Sequence, residues 1–472
     1  MDKLFASADE ALADMPDGST IAIAGFGVGH RFPSSLLTAV VNKGVKDLCV
    51  VSNSLGGRGA LRGQILVENH QVRKIVVAFT ARAGLRSAAE DQIDSGELTF
   101  ELVPQGTLVE RCRAGGAGIP AFYTPTGAGT PVADGKEVRW FDGKQYILEQ
   151  AIHLDYALLR AYRADRAGNL QFRGGSQNFN PSFAKAARIA VVEADEIVDV
   201  GEIPPNEIDL PGIFVSRVVK STVNMTVEEV QATRAPRRPA DVPRQYLGKP
   251  ALTRAAIAER AARLLAEGST VNLGTGIPTM VSNYVQGRDI LLHAENGVLG
   301  YGRFVEGDEI DPDVYNASGE FVALETGAAF FDSVTSFEMA RGGHLSAVVL
   351  GAYQVDELAN LANFATPEMV GGGIGGAMDL VAGGSTLIIT MEHRDSRDNA
   401  KLLHRCTFPL TGVGCVDVVV TDLALLRREK GRFVLEETAP GFTPSEVASL
   451  TEMELAIPEH VGSMAQAAAA GA

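Results

Sequence analysis

An α/β protein of two related domains with largely parallel sheets is what this sequence predicts, on three observations. Its 472 residues exceed what one hydrophobic core ordinarily serves. An order of strand, glycine turn, helix and strand occurs twice, starting near residues 5 and 252, and that order belongs to parallel sheets with crossover helices. A stretch rich in proline and charge, APRRPADVPRQYLGKP, separates the two copies.

In the first copy FASADEALADM reads as an amphipathic helix, and Gly18, Ser19 and Thr20 lead into the apolar strand IAIA. The strand ends in the turn Gly25, Phe26, Gly27, and Pro33 opens the next helix, where a missing N–H costs nothing. The following strand runs out into VVSNSLGG, with Asn53 at its carboxyl end. In the second copy TRAAIAERAARLLAEG is the helix, VNL the strand, Gly274, Thr275, Gly276 the turn and Pro278 the next helix start. ILLHAENGVLG supplies the second strand and its polar turn. Residues 235–250 have neither helical nor strand periodicity and read as an exposed linker between domains 1–234 and 251–472. The closing AQAAAAGA has too little apolar variety to pack and reads as a frayed tail.

Composition narrows the function. Apolar residues make up 46% and charged ones 21%, and no uninterrupted apolar run approaches the thickness of a bilayer, so a soluble protein with no membrane role is expected. A formal charge of −16 argues against nucleic acid, whose affinity comes from neutralised phosphates. Cys49, Cys112, Cys406 and Cys415 lack metal-ligand spacing and the histidines do not cluster with them, so neither a metal site nor a disulfide framework is expected. The N-terminal MDKLFASADEALADMPDG is acidic and amphipathic, which signals neither secretion nor organelle import, and a cytoplasmic enzyme is expected.

Three segments can carry chemistry. Ala294-Glu295-Asn296-Gly297 puts a carboxylate on a tight turn at a strand's carboxyl end, where α/β folds react; it is either a solvated loop tip or a nucleophile. The run GGGIGGAMDL (371–380) formally contains GxGxxG, but no strand precedes it, so a dinucleotide site is rejected. What remains is backbone freed of side chains, either a flexible loop or a set of N–H groups aimed at an anion. The segment LVPQGTLVER, continuing into AGGAGIPAFYTPTG, reads either as an ordered functional loop or as a long connection, and Gln105 is its one neutral side chain able to donate to an oxyanion.

These segments, with SGELTFELVPQGTLVERCRAGGAGIPAFYTPTG, NLGTGIPTM, HAENGVLGYG, RGGHLSAVVLGAYQV, GGAMDL, TMEH and CTFPLTG in collinear order, resemble the class I CoA-transferases of the 3-oxoacid type. The resemblance implies a CoA-transferase-like fold whose halves correspond to α and β subunits, fused here and assembled as a homodimer. It implies acyl-CoA and small carboxylic acids as substrates, with coenzyme A as covalent intermediate and no tightly bound cofactor. Glu295 matches the nucleophilic glutamate, and Gln105 and the N–H of Gly376 match the oxyanion donors. Asn272, Gly274, Gly276 and Gly375 are the implied CoA contacts, and Gly25, Phe26, Gly27 and Asn53 the implied substrate contacts.

The sequence also departs from the family. Where relatives read GGFGLCGIPENL, this chain has AGFGVGHRFPSSL, one residue longer and with His30 and Arg31 added. Thr80-Ala81-Arg82 stands for a familiar Gly-Glu-Asn, and Arg58 enters a neutral stretch. Arg31, Arg58 and Arg82 thus gather near turns expected to face substrate: either they hold an acid with an extra carboxylate, or they face water. Gly319 and Gly372 replace lysines, and Ala294 replaces a serine. Two other functions compete: an acyl-CoA hydrolase in which Glu295 activates water, and a non-catalytic ligand-binding relative.

Overall fold

In the computed structural model, which describes residues 2–27, 29–57, 61–80, 86–224, 226–232 and 241–464, the first half is organised by strands that are apolar on both faces. Along β1 (Thr20–Ile23), Ile21 and Ile23 pack with Leu36, Leu37 and Val40 of helix α1 (Ser34–Lys43). Ala22 faces the opposite way, into the cluster that holds Leu108, Val109 and Cys112. Such two-sided burial is what a parallel sheet covered on both faces requires, and each fully buried aliphatic side chain contributes about 1.5–3 kcal/mol.

The sheet continues with β2 (Leu48–Ser52), β3 (Val72–Val77), β4 (Thr99–Leu102), β5 (Leu154–Asp165), β6 (Ala187–Val198) and β7 (Arg217–Lys220). They lie in the order β7-β6-β5-β1-β2-β3-β4, all parallel, with a short antiparallel strand, Leu170–Gln171, added to β5. The chain winds outward in both directions from β1, which opens a crevice at the carboxyl ends of the strands.

The second half repeats the plan. β8 (Ser269–Leu273) runs through its glycine turn and the helix Ile277–Met280 into β9 (Ile290–Ala294), parallel to it. Then come β10 (Val298–Phe304), β11 (Val322–Phe330), β12 (Ala347–Leu350), β13 (Thr386–Thr390), β14 (Val418–Val420), β15 (Ala424–Glu429), β16 (Arg432–Thr438) and β17 (Gly462–Ser463), in the sheet order β11-β10-β9-β8-β12-β13-β14-β15-β16-β17. Its centre, from β9 to β14, is parallel; β10, β11, β15 and β16 are antiparallel additions on the two sides.

Two expectations change. Residues 105–116, read as loop for their glycine and proline, form helix α2 (Gln105–Gly116): Pro104 caps it, and Leu108, Val109 and Cys112 make a buried face at helical spacing. Part of the expected linker is ordered as well. Gln245–Tyr246 pairs with Lys249–Pro250, and the buried Tyr246 donates its hydroxyl to Asp422 at 3.1 Å, fastening the segment to the second half. Residues 233–240, the tail 465–472, Arg58 and Arg82 lie outside the described residues.

The halves share one core. The cluster containing Leu108 and Val109 of α2 also contains Phe337 and Ala340 of α3 (Ser333–Arg341) and Leu380 of α4 (Ala377–Ala382). Among the described residues no helix is long and apolar enough to cross a membrane.

Candidate active site

β9 delivers Glu295 to the seam between the halves. The strand ends at Ala294, and the turn closes with the Gly297 N–H donating to the Ala294 carbonyl at 3.0 Å. Beneath the turn His293 is fully buried. The Asn272 amide donates to its Nδ1 at 3.0 Å, and since an NH2 group can only donate, the ring proton sits on Nε2, 3.0 Å from Ser336 Oγ. Burial lowers the imidazole pKa to about 4, so the ring is neutral and serves as a fixed strut. Beside Glu295, the Asn296 amide donates to the Tyr315 carbonyl at 2.7 Å.

The Glu295 carboxylate is half-buried and takes part in no hydrogen bond among the described residues. Loss of water raises its pKa to about 7, and the negative charge of Asp379 adds to that. It lies against Gly376: a Cβ built there would be 3.0 Å from Glu295 Oε2, so a side chain at this position would press on the carboxylate. The Gly376 N–H, at the cap of α4, has no acceptor among the described residues.

The glycine run is not a flexible loop. It threads along the end of β3: Thr80 N–H donates to the Gly372 carbonyl at 2.9 Å, Gly372 N–H to Thr80 Oγ1 at 3.1 Å, and Gly375 N–H to the Ala78 carbonyl at 3.1 Å. The Gly375 carbonyl in turn accepts from the Gln105 backbone N–H at 2.9 Å, and Gln105 Nε2 comes to 3.9 Å from where a Gly375 Cβ would stand. Glu295, Gln105 and Gly376 therefore meet at one place, two from the second half and one from the first. Gly375 is spent on joining the halves, because its N–H is already taken.

Other sequence-derived residues lie differently. Asn272 is fully buried with its amide on His293, so its side chain supports the strand and does not face a ligand. Gly274 and Gly276 do form the open turn after β8. Phe26 is buried with its ring 6.4 Å from Tyr315, and Gly25 and Gly27 shape the turn that lets Phe26 and His30 exchange backbone hydrogen bonds, so this turn packs on the second half. Arg31 is committed within the fold: its guanidinium grips Asp313 with two hydrogen bonds and Asp195 with a third at 2.6 Å, so it is not the free substrate contact expected of it. Arg58 and Arg82 lie outside the described residues. Asn53 is fully buried at the end of β2, and neither end of its amide has a partner among the described residues.

Sequence reasoning missed Asp379, fully buried beneath the site. It accepts from Gly106 N–H at 2.8 Å and Thr126 Oγ1 at 3.1 Å, and Arg341 stands 3.3 Å away. Burial raises its pKa, opposed by Arg341 and those two donors. Its only sequence signal was its place three residues after Gly376. Among the described residues no group of three or more His, Cys, Asp or Glu side chains is placed to hold a metal ion.

Comparison with known proteins gives the family. A family model described as coenzyme A transferase matches residues 5–221 and 254–449. The mouse mitochondrial succinyl-CoA:3-ketoacid coenzyme A transferase 2A is 41% identical over 479 residues, covering 97% of this chain and 90% of that protein. A bacterial relative, the A subunit of the succinyl-CoA:3-ketoacid coenzyme A transferase of Xanthomonas campestris pv. campestris, is 50% identical over 228 residues, 48% of this chain and 91% of that protein. The fold matches a solved acyl-CoA transferase of E. coli O157:H7, with a TM-score of 0.79 at 19% identity over 98% of this chain and 95% of that one. The cytoplasmic location expected from the N-terminal segment does not stand, since the mouse relative matching nearly the whole chain is named as mitochondrial. Ala11, Leu12 and Met15 of that segment are buried in the fold, so its amphipathic character reports packing.

Proposed function

The chain belongs to the coenzyme A transferase family, and on that premise we propose that it moves CoA from an acyl-CoA to a 3-oxoacid by a ping-pong reaction through Glu295. The names of its relatives support succinyl-CoA and a 3-ketoacid as the substrate pair. The observation that supports the mechanism is a carboxylate without a hydrogen-bond partner among the described residues, lying against Gly376, whose N–H is unused, with the Gln105 amide near the adjoining Gly375.

In the first step Glu295 attacks the thioester carbonyl, the oxyanion is held by Gln105 Nε2 and the Gly376 N–H, and the C–S bond breaks to give an acyl-glutamyl anhydride and CoA thiolate. The thiolate then attacks the glutamyl carbonyl, releasing the first carboxylate and leaving CoA as a thioester on Glu295. An acceptor carboxylate attacks that thioester, forming a second anhydride and expelling thiolate, which takes the new acyl group and frees Glu295. Both nucleophiles react as anions, so no general base is required. A raised pKa makes Glu295 a stronger nucleophile once ionised.

The same reading takes Gly274 and Gly276 as backbone contacts for CoA, Asn53 as a polar contact for the acid, residues 1–234 and 251–472 as the two domains, and a homodimer as the assembly. A pKa of about 7 would also suit a base that activates water, the hydrolase alternative. One experiment separates them. Enzyme incubated with succinyl-CoA and no acceptor, then reduced with borohydride and digested, should yield a peptide whose mass is altered at Glu295. Free CoA accumulating with Glu295 unaltered would establish the hydrolase instead.

A further inference from the structure

Gln105 and Gly376 come from opposite halves, so something must hold them in register. Both are first-turn residues of helices: Gln105 opens α2 and Gly376 caps α4. One turn into α4, Asp379 reaches back across the seam and accepts the N–H of Gly106, the residue after Gln105, at 2.8 Å. The approach is closer than any side chain would allow, since a Cβ on Gly106 would fall 2.5 Å from Asp379 Oδ1 and from Arg341 Nη1. The second carboxylate oxygen takes the Thr126 hydroxyl at 3.1 Å, also from the first half, and Arg341 of α3 stands 3.3 Å from it.

We propose that Asp379 is a positioning residue: one buried carboxylate pins the amino end of α2 to the helix capped by Gly376, so that donors from the two halves converge on Glu295. The proposal rests on the roles given above to Glu295, Gln105 and Gly376. Asp379 acts on Glu295 in a second way, through its charge. The ionisable groups around Glu295 are Asp379 from α4 and Tyr301 from β10; those around Asp379 are Glu295 and Arg341, with Glu110 of α2 3.9 Å from Arg341. Arg341 offsets part of the Asp379 charge, and what remains disfavours ionisation of Glu295.

The two effects have separate readouts. Asp379→Asn keeps the shape but removes the charge and turns one acceptor into a donor. It should lower kcat about ten- to a hundredfold with KM within about twofold, because displaced donors penalise the transition state more than binding. The acid limb of kcat should also move down by about half a pH unit, since Glu295 then ionises more easily. Thr126→Val deletes one of the donors that orient Asp379 and leaves its charge in place; it should lower kcat about threefold or more, with the limb unmoved. Thermal melts and borohydride trapping of wild-type Glu295 run alongside. If trapping succeeds but Asp379→Asn keeps kcat within twofold, the positioning role is overturned and Glu295 stands; a lowered kcat with the limb unmoved supports positioning and overturns the charge effect alone. If Asp379→Asn does not fold, unchanged kcat in Thr126→Val overturns the proposal. If wild-type Glu295 is never trapped, the reading of the site falls and the proposal with it.

Discussion

The seam between the halves carries two clusters of buried charge, balanced in opposite ways. In the first, Arg31 and Arg160 bind Asp195 at 2.6 and 2.7 Å, Arg31 and Arg173 bind Asp313, and Arg160 reaches Glu193 at 3.2 Å. Each of those carboxylates meets at least one guanidinium. A cavity of about 200 Å³ opens beside this cluster, lined by His30, Arg31, Arg160 and Asp195 but by none of Glu295, Gln105 or Gly376. In the second cluster Arg341 is the one cation paired with Asp379, and Glu295 has no counter-charge within ion-pair distance among the described residues. Compensated charge holds the halves together; uncompensated charge, costly to bury, stands at the proposed nucleophile.

The sharpest way to break this contrast is Glu295→Gln, which removes the uncompensated charge and the nucleophile together. Turnover should fall on the order of ten thousandfold, while melting temperature holds or rises, measured by transferase assay and calorimetry. Gln105→Ala comes next. Losing one oxyanion donor should cost about a hundred- to a thousandfold in kcat with KM little changed, read from steady-state kinetics. Arg31→Met tests the other cluster and should do the reverse. Breaking a buried pair should cost about 3 kcal/mol in urea unfolding, while the preference between dicarboxylic and monocarboxylic acceptors stays as in the wild type. A changed preference would return Arg31 to the substrate pocket.

Much of the uncompensated cluster is legible in the sequence, and little of the compensated one. Glu295 stands at a strand end and the glycine run before a helix, and both carry chemistry in their residue types, so the family resemblance places them. Gln105 is legible although its surroundings mislead: a helix opening with Pro-Gln-Gly and closing with Gly-Gly looks like loop until the spacing of Leu108, Val109 and Cys112 is given weight. Asp379 escapes because an acid in a first helical turn ordinarily serves the helix dipole, and only the fold brings Gly106 and Thr126 onto it. Arg31 reads as a ligand contact because its partners Asp195 and Asp313 lie 164 and 282 residues away in sequence.

On the roles proposed for Gln105, which belongs to one half, and for Glu295 and Gly376, which belong to the other, neither half alone contains a complete site. Tethering them on one polypeptide replaces a bimolecular encounter with an intramolecular one, at an effective concentration in the millimolar range for a short connector. A cell making this chain has no stoichiometry of two gene products to balance, and dilution cannot silence the enzyme by separating its parts.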